Sequence, residues 1–244
     1  MAVGIQILLN DKLYIRDPQD TKLGRSIVQH GILLIDEIGF EQFTFKKLAE
    51  RIESTEASIY RYFENKHKLL LYLLCWYWEW MSYLIDFNAN NVQDPKERLR
   101  IAIQAMVRTT QPNTSISFVD EDVLHRIVIA EGAKGYHTKS VDAENKDGLF
   151  ATYKALAAKI GAIILELNPS FPYPKALAST LLSMSSDHVY YATHLPRLTD
   201  VKVQDGVMTQ VEEMLCDFAF GLVLAPSHGH SLAEQNEIVG SSNK

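Results

Sequence analysis

Two cysteines, Cys75 and Cys216, are all that the 244 residues contain, and each sits inside an apolar stretch. They offer neither a disulfide framework nor a metal-ligand spacing and read as reduced, buried small hydrophobes. Long apolar runs are equally scarce. The strongest suspect, Leu69–Ile85, carries Glu79 and falls short of the roughly 18 residues that a spanning helix needs. Met1–Asn10 is apolar but lacks the basic start and small-residue cleavage site of a secretory signal. These gaps predict a soluble, cytoplasmic protein with no membrane partner. Positive charge is not in excess either: the formal net charge is −6, which argues against a chain coated in nucleic acid while leaving room for a local basic face. Nucleophile elbows, glycine-rich phosphate loops, His-Glu-x-x-His and paired cysteine ligands are all missing. Nothing asks for an enzyme, a cofactor or a metal. His125 stands at helix spacing from Glu121 and Asp122, but such a lone cluster reads as a solvated face, and His228-Gly-His230 is a weaker cue still.

What is present is helical periodicity. Asp17-Pro18 supplies a cap and a first-turn proline; Leu23, Ile27, Gly31, Leu34 and Ile38 then recur three or four apart, and Gly39 is placed to end the helix in the left-handed region. Thr44 caps a short helix with Leu48 and Ile52 inward. Ser54-Thr55-Glu56 starts the next, with Ile59 and Tyr60 inward, and Asn65 caps a long aromatic helix reaching about Phe87. Residues 88–94 form a polar linker before Asp94-Pro95 opens another helix. Gln111–Ser117 reads as a loop, and Phe118–Ala130 as a helix with Val123, Ile127 and Ala130 inward. Glu131–Asp147 is rich in Gly, Lys and Asp and is expected to be a long exposed loop. Leu149–Leu167 is helical and residues 168–174 break it. Leu8–Ile15 is a candidate extended arm.

Two late helices carry heptad-like stripes: Leu177, Leu181, Met184 and His188 on one, Val207, Val211, Met214 and Phe218 on the other. Such stripes suit packing at a shallow crossing angle, and they are predicted to form a two-fold four-helix dimer interface. The polar tail from residue 226 is expected to be disordered.

The informative stretch is 43–70. Two short helices meet across a turn, anchored by Leu48, Ala49, Ile52, Ile59 and Phe63, with Ala49 small enough to let the second helix approach. That packing holds the second helix outward, where it can enter a major groove about 12 Å wide. Thr44, Leu48-Ala49, Ser58-Ile59-Tyr60, Tyr62-Phe63, Asn65-Lys66 and Leu69-Leu70 together resemble the TetR-family pattern, a likeness that covers roughly residues 22–70.

The resemblance implies an all-α fold, with a three-helix helix-turn-helix DNA-binding domain followed by a helical ligand-binding and dimerisation domain. The divisions expected are 1–20 (arm), 21–66 (DNA-binding), 67–225 (effector and dimer) and 226–244 (tail). It also implies a homodimeric repressor that binds a palindromic operator in double-stranded DNA and is modulated by a small hydrophobic or aromatic effector. Thr44, Tyr60, Tyr62 and Lys66 fall where the family makes phosphate contacts, with Lys46 and Lys47 beside them. Thr55, Glu56, Ala57, Ser58 and Arg61 fall at base-facing positions, Arg61 being the best guanine reader.

One departure is conspicuous: Glu53 and Ser54 stand where the family has glycine and a small aliphatic. A glutamate there would be strained, so an extra half-turn of helix is the expected outcome. Lys46, Lys47, Arg51, Arg61, Lys66 and Lys68 are nearly matched by Glu41, Glu50, Glu53, Glu56 and Glu64. A helical dimer with a degraded DNA-reading helix, acting through ligand or protein binding, is therefore the alternative. For the effector pocket, the aromatic helix contributes Trp76, Trp80 and Tyr83, joined by Met106, Phe118, His125, Tyr153, Met184 and His188.

Overall fold

The computed structural model describes residues 7–107, 118–202 and 208–225. Among them there are ten α-helices and no strand. Val207, the 111–117 stretch, the tail from 226 and its two histidines lie outside the described residues.

The first helix, α1 (Lys22–Gln42), is capped by Thr21, whose hydroxyl accepts from Gly24 N at 2.9 Å. Asp17-Pro18 instead opens a separate 3-10 turn, Pro18–Asp20. That turn folds back so closely that a β-carbon on Gly24 would lie 2.3 Å from the Pro18 carbonyl oxygen, so the helix restarts only at the next hydroxyl. Ile27, Val28, Gly31, Ile32, Leu34 and Ile35 face the core. Gly39 breaks the helix as expected, but at φ 76°, ψ 156°. This region is open essentially to glycine alone and is not the left-handed helical cap. One further turn then leads to Gln42.

Helix α2 (Phe45–Arg51) is capped by Thr44, α3 (Glu56–Tyr60) by Thr55 and α4 (Lys66–Asn88) by Asn65, each through a side-chain oxygen accepting a backbone N–H. Between α2 and α3 no extra half-turn forms. Ser54 N donates to Ala49 O (2.9 Å) and Glu53 N to Glu50 O (3.4 Å), the two bonds of a Schellman close. Its left-handed position is Glu53 itself, at φ 51°. Ile59 is buried, whereas Tyr60 is 47% exposed, so only the first of the expected inward pair points inward: on a five-residue helix, adjacent positions are about 100° apart.

Helix α4 is the axis of the protein, with an unbroken buried stretch from Leu69 to Tyr77. Around it stand α5 (Pro95–Val107), α6 (Glu121–Glu131), α7 (Val141–Lys146), α8 (Ala151–Leu167), α9 (Pro174–His194) and α10 (Thr209–Val223). Phe118 precedes α6 instead of opening it, because Asp120 is the residue whose carboxylate accepts from Val123 N; Ala130 is exposed.

Residues 131–147 are not a long open loop. They hold a 3-10 segment, Gly132–Gly135, with both glycines buried, and then α7. Glu144 of α7 meets His67 of α4 at 2.9 Å. The charge-rich composition reflects partners on other helices, which composition cannot reveal. Among the described residues no helix is long and apolar enough to cross a membrane.

The N-terminal arm is tacked down without becoming a strand. Leu13 is buried, Ile15 N donates to Tyr62 O at 2.8 Å, and Asn10 Nδ2 and Lys12 Nζ reach Asp147 at 2.9 and 2.6 Å.

Candidate nucleic-acid interface

The α2–α3 pair rests on Leu48, Ala49, Ile59 and Phe63, all buried, and on a Phe45–Tyr60 edge contact at 5.1 Å. Outward from this base the structure exposes Thr44, Lys46, Lys47, Thr55, Glu56, Ala57, Tyr60 and Arg61, with Ser58 half-buried. Nine of the eleven residues expected at DNA are thus accessible on or beside α2 and α3. Lys47 Nζ turns back to Gln42 O (2.9 Å) and the Thr55 and Ser58 hydroxyls bond each other (2.8 Å). Lys46 and Arg61 make no ion pair among the described residues. Glu53 and Glu56 are exposed as well.

The other two expected contacts are corrected. Tyr62 is buried and its hydroxyl is bonded to Thr21 Oγ1 at 2.8 Å; it ties α3 to the start of α1 instead of reaching solvent. Lys66 is half-buried and committed to the chain itself. Its ammonium donates to the carbonyls of Phe40 (3.0 Å), Glu41 (3.1 Å) and Phe43 (3.2 Å) and lies over the Phe40 ring. Helix α1 ends at Gln42 and the next two residues are extended, which leaves those carbonyls without helical partners, and a buried acceptor without a donor is costly. An ammonium carries three donors, so Lys66 closes the bend and has none left for a phosphate.

The same bend is gripped from the other side. Arg126 of α6 makes a bidentate pair with Asp36 (3.0 and 2.8 Å), and Glu131 accepts from Phe40 N at 2.9 Å. Lys134 bridges Glu131 (2.7 Å) and Glu41 (3.1 Å); its hydrogen bond holds the Glu41 carboxyl below the usual range.

Behind this brace lies a cleft of about 250 Å³. Trp78, Tyr136 and Tyr153 line it with Val128, Ile129 and Gly132, and Ser183, Ser186 and Asp187 come from α9. Trp78 and Tyr153 touch with centroids 4.9 Å apart, and Tyr136 stacks on Tyr153 at 6.2 Å.

Of the nine residues expected to line a pocket, only Tyr153 lines this one. Trp76, Trp80, Met106 and His125 are buried in the core, and Tyr83 is exposed, stacked between Trp80 and Phe87. Phe118 and Met184 are half-buried, and His188 Nδ1 is bonded to the Thr199 hydroxyl at 2.8 Å. Tyr136, His137 and Asp187 escaped sequence reasoning, although the aromatic pair Tyr136-His137 in an otherwise polar segment was a usable signal. His125 is no solvated residue: its Nδ1 meets the Tyr77 hydroxyl at 2.5 Å, and burial pushes its pKa down to about 4. No metal-holding cluster occurs among the described residues.

The dimerisation stripes also need correction. Leu177, Leu181 and Val211 are consumed by the chain's own core, the last two at 0% exposure. Val207 is outside the described residues. Met214, half-buried, and Phe218, 47% exposed, continue to Leu222, 57% exposed, as an outward apolar row on α10.

Residues 27–73 match the model of the bacterial regulatory proteins of the tetR family. No curated protein matches the chain in sequence. Among solved structures the fold is similar to a transcriptional regulator from Rhodococcus sp. Rha1 (TM-score 0.58, 17% identity, 84% of this chain and 96% of that one). It is also similar to AibR in complex with isovaleryl coenzyme A and operator DNA (TM-score 0.53, 16% identity, 82% and 97%). A third is FadR, a fatty acid degradation regulator from Bacillus halodurans (TM-score 0.52, 14% identity, 80% and 92%).

Proposed function

We propose that this chain, a member of the tetR family of bacterial regulatory proteins through its N-terminal unit, is a dimeric repressor that binds a near-palindromic operator and is released by a small molecule. The observation that carries the reading is the exposed row Thr55, Glu56, Ala57, Tyr60 and Arg61 on a helix whose opposite side is locked into the core. A helix so presented can enter the major groove, with Arg61 donating to a guanine and Thr44, Lys46, Lys47 and Tyr60 positioned at phosphates. A relative of the same fold binds operator DNA together with a small molecule, which supports the pairing of roles.

Release would run through α6. The segment that lines the cleft at Val128, Ile129 and Gly132 also carries Arg126, Glu131 and Lys134. A ligand that displaces this wall loosens the grip on the bend of α1 and so on the reading unit. The outward row Met214, Phe218 and Leu222 is the face we assign to the dimer, whose two-fold axis would hold two reading helices one DNA turn apart.

Selection of bound fragments from random DNA, with affinities measured at several salt concentrations, tests the reading. We expect a near-palindrome and a steep salt slope; Arg61→Ala should relax one base pair per half-site at about 1–3 kcal/mol. No salt-dependent binding to any fragment would overturn it and favour a ligand-binding dimer whose carboxylates Glu53 and Glu56 have closed the face to DNA.

A further inference from the structure

The cleft behind α6 has an electrostatic sign. Three aromatic side chains, Trp78, Tyr136 and Tyr153, form a continuous wall. At its mouth stands Asp187, exposed on α9 and without an ion-pair partner among the described residues. No lysine or arginine belongs to the lining, whose one imidazole is His137. Aromatic rings present negative faces that attract cations, most strongly when part of the cation is desolvated. A carboxylate beside them adds to the same preference, at the shorter range that partial exposure allows. The field reaches inside: the Tyr136 phenol is held above its ordinary range by burial first, then by Tyr153 and Asp187.

We infer that the cleft between α4, α6, α8 and α9 receives a small organic ammonium ion, its cationic head against the Trp78–Tyr153–Tyr136 wall and the Asp187 carboxylate its counter-ion. This rests on reading the cleft as the effector site. A volume of about 250 Å³ is below the roughly 300–1,000 Å³ of sites for drug-sized ligands, so the occupant is compact. Ser183 and Ser186 supply hydroxyls for one polar substituent. No lysine or arginine lines the cleft to receive the phosphates of a coenzyme A thioester, the ligand of one relative of this fold.

The test uses the full chain without DNA and two isosteric probes, phenyltrimethylammonium and tert-butylbenzene, which differ by nitrogen for carbon and one positive charge. Ligand-observed NMR titration should show the cation binding about tenfold more tightly or better. Asp187→Asn should remove most of that preference while leaving tert-butylbenzene unchanged; Trp78→Leu should weaken the cation as well. Asp187 is on the surface, so an unaltered melting temperature and sedimentation are expected for its variant. Equal affinity for the two probes, or a cation affinity indifferent to Asp187→Asn, overturns the inference. Operator binding is measured separately. Its presence with no cation binding refutes the ligand class alone, whereas cation binding with no operator refutes the regulator reading alone.

Discussion

Glu53 offers a clean separation of backbone strain from charge. It occupies the left-handed position of the Schellman close between α2 and α3, at φ 51°. A residue with a β-carbon is disfavoured there by about 1–2 kcal/mol. Glycine relieves this but loses about 0.5–1 kcal/mol of unfolded-state entropy. Glu53→Gly should therefore stabilise the fold by about 0.5–1 kcal/mol, raising the melting temperature by roughly 1–4 °C in a chain of this size. Glu53→Ala keeps the β-carbon and should give no gain. Both variants delete one exposed carboxylate from the face assigned to DNA and should tighten operator binding to a similar degree at low salt, less at high salt. Calorimetric melting of the three proteins, paired with operator titrations, resolves the two effects. Equal stabilisation by alanine and glycine would show that like-charge repulsion, and not the backbone, governs this position.

Other perturbations have equally definite expectations. Lys66→Met should strand three carbonyls at the bend of α1 and cost about 1–3 kcal/mol in chemical denaturation, with the salt slope of operator binding unchanged; a flatter slope would put its ammonium on a phosphate. His125 is neutral when folded, since burial lowers its pKa to about 4 against an ordinary value of 6.5. The unfolded chain takes up the proton first, so the contribution is complete above about pH 6.5 and is lost as pH falls toward 4. Between pH 7 and pH 5 this amounts to about 2 kcal/mol, and denaturation of His125→Gln should lack that increment. Phe218→Glu with Leu222→Glu should give folded monomers in sedimentation, whereas Leu181→Glu should unfold the chain by burying an unpaired charge; dimers persisting in the first variant would move the interface elsewhere.

Local chemistry was the legible part of this molecule. Thr44, Thr55 and Asn65 announce helix starts because a capping oxygen acts within three residues of itself. The exposed set on α3 follows from the same short-range pattern, since Leu48, Ile59 and Phe63 leave only one side for Thr55, Glu56 and Arg61. What escaped depends on neighbours distant in sequence. Lys66 and Tyr62 stand at positions where a donor to phosphate is expected, yet a bend 26 residues upstream and a hydroxyl 41 residues away claim their polar atoms. A heptad stripe records that a helix face is covered but not by which chain, so Leu181 and Val211 read as an interface while lying in one protomer's interior. The cleft was hidden for the same reason: Trp78 of α4, Asp187 of α9 and Tyr136 of the turn between α6 and α7 meet only in the packed chain.

The tether at Asp147 has a consequence for the order of biosynthesis. Asn10 and Lys12 find their partner 137 and 135 residues later, so the arm leaves the ribosome long before the residue that secures it. Through that interval α1 to α4 can pack, but Leu13 and the Ile15–Tyr62 hydrogen bond are held only by their own few contacts. Nascent chains arrested before residue 147 should accordingly lose the arm to protease, and chains arrested well beyond α8 should keep it. The half-made protein thus keeps a loose end beside its reading helix until α7 and the residue after it have been made.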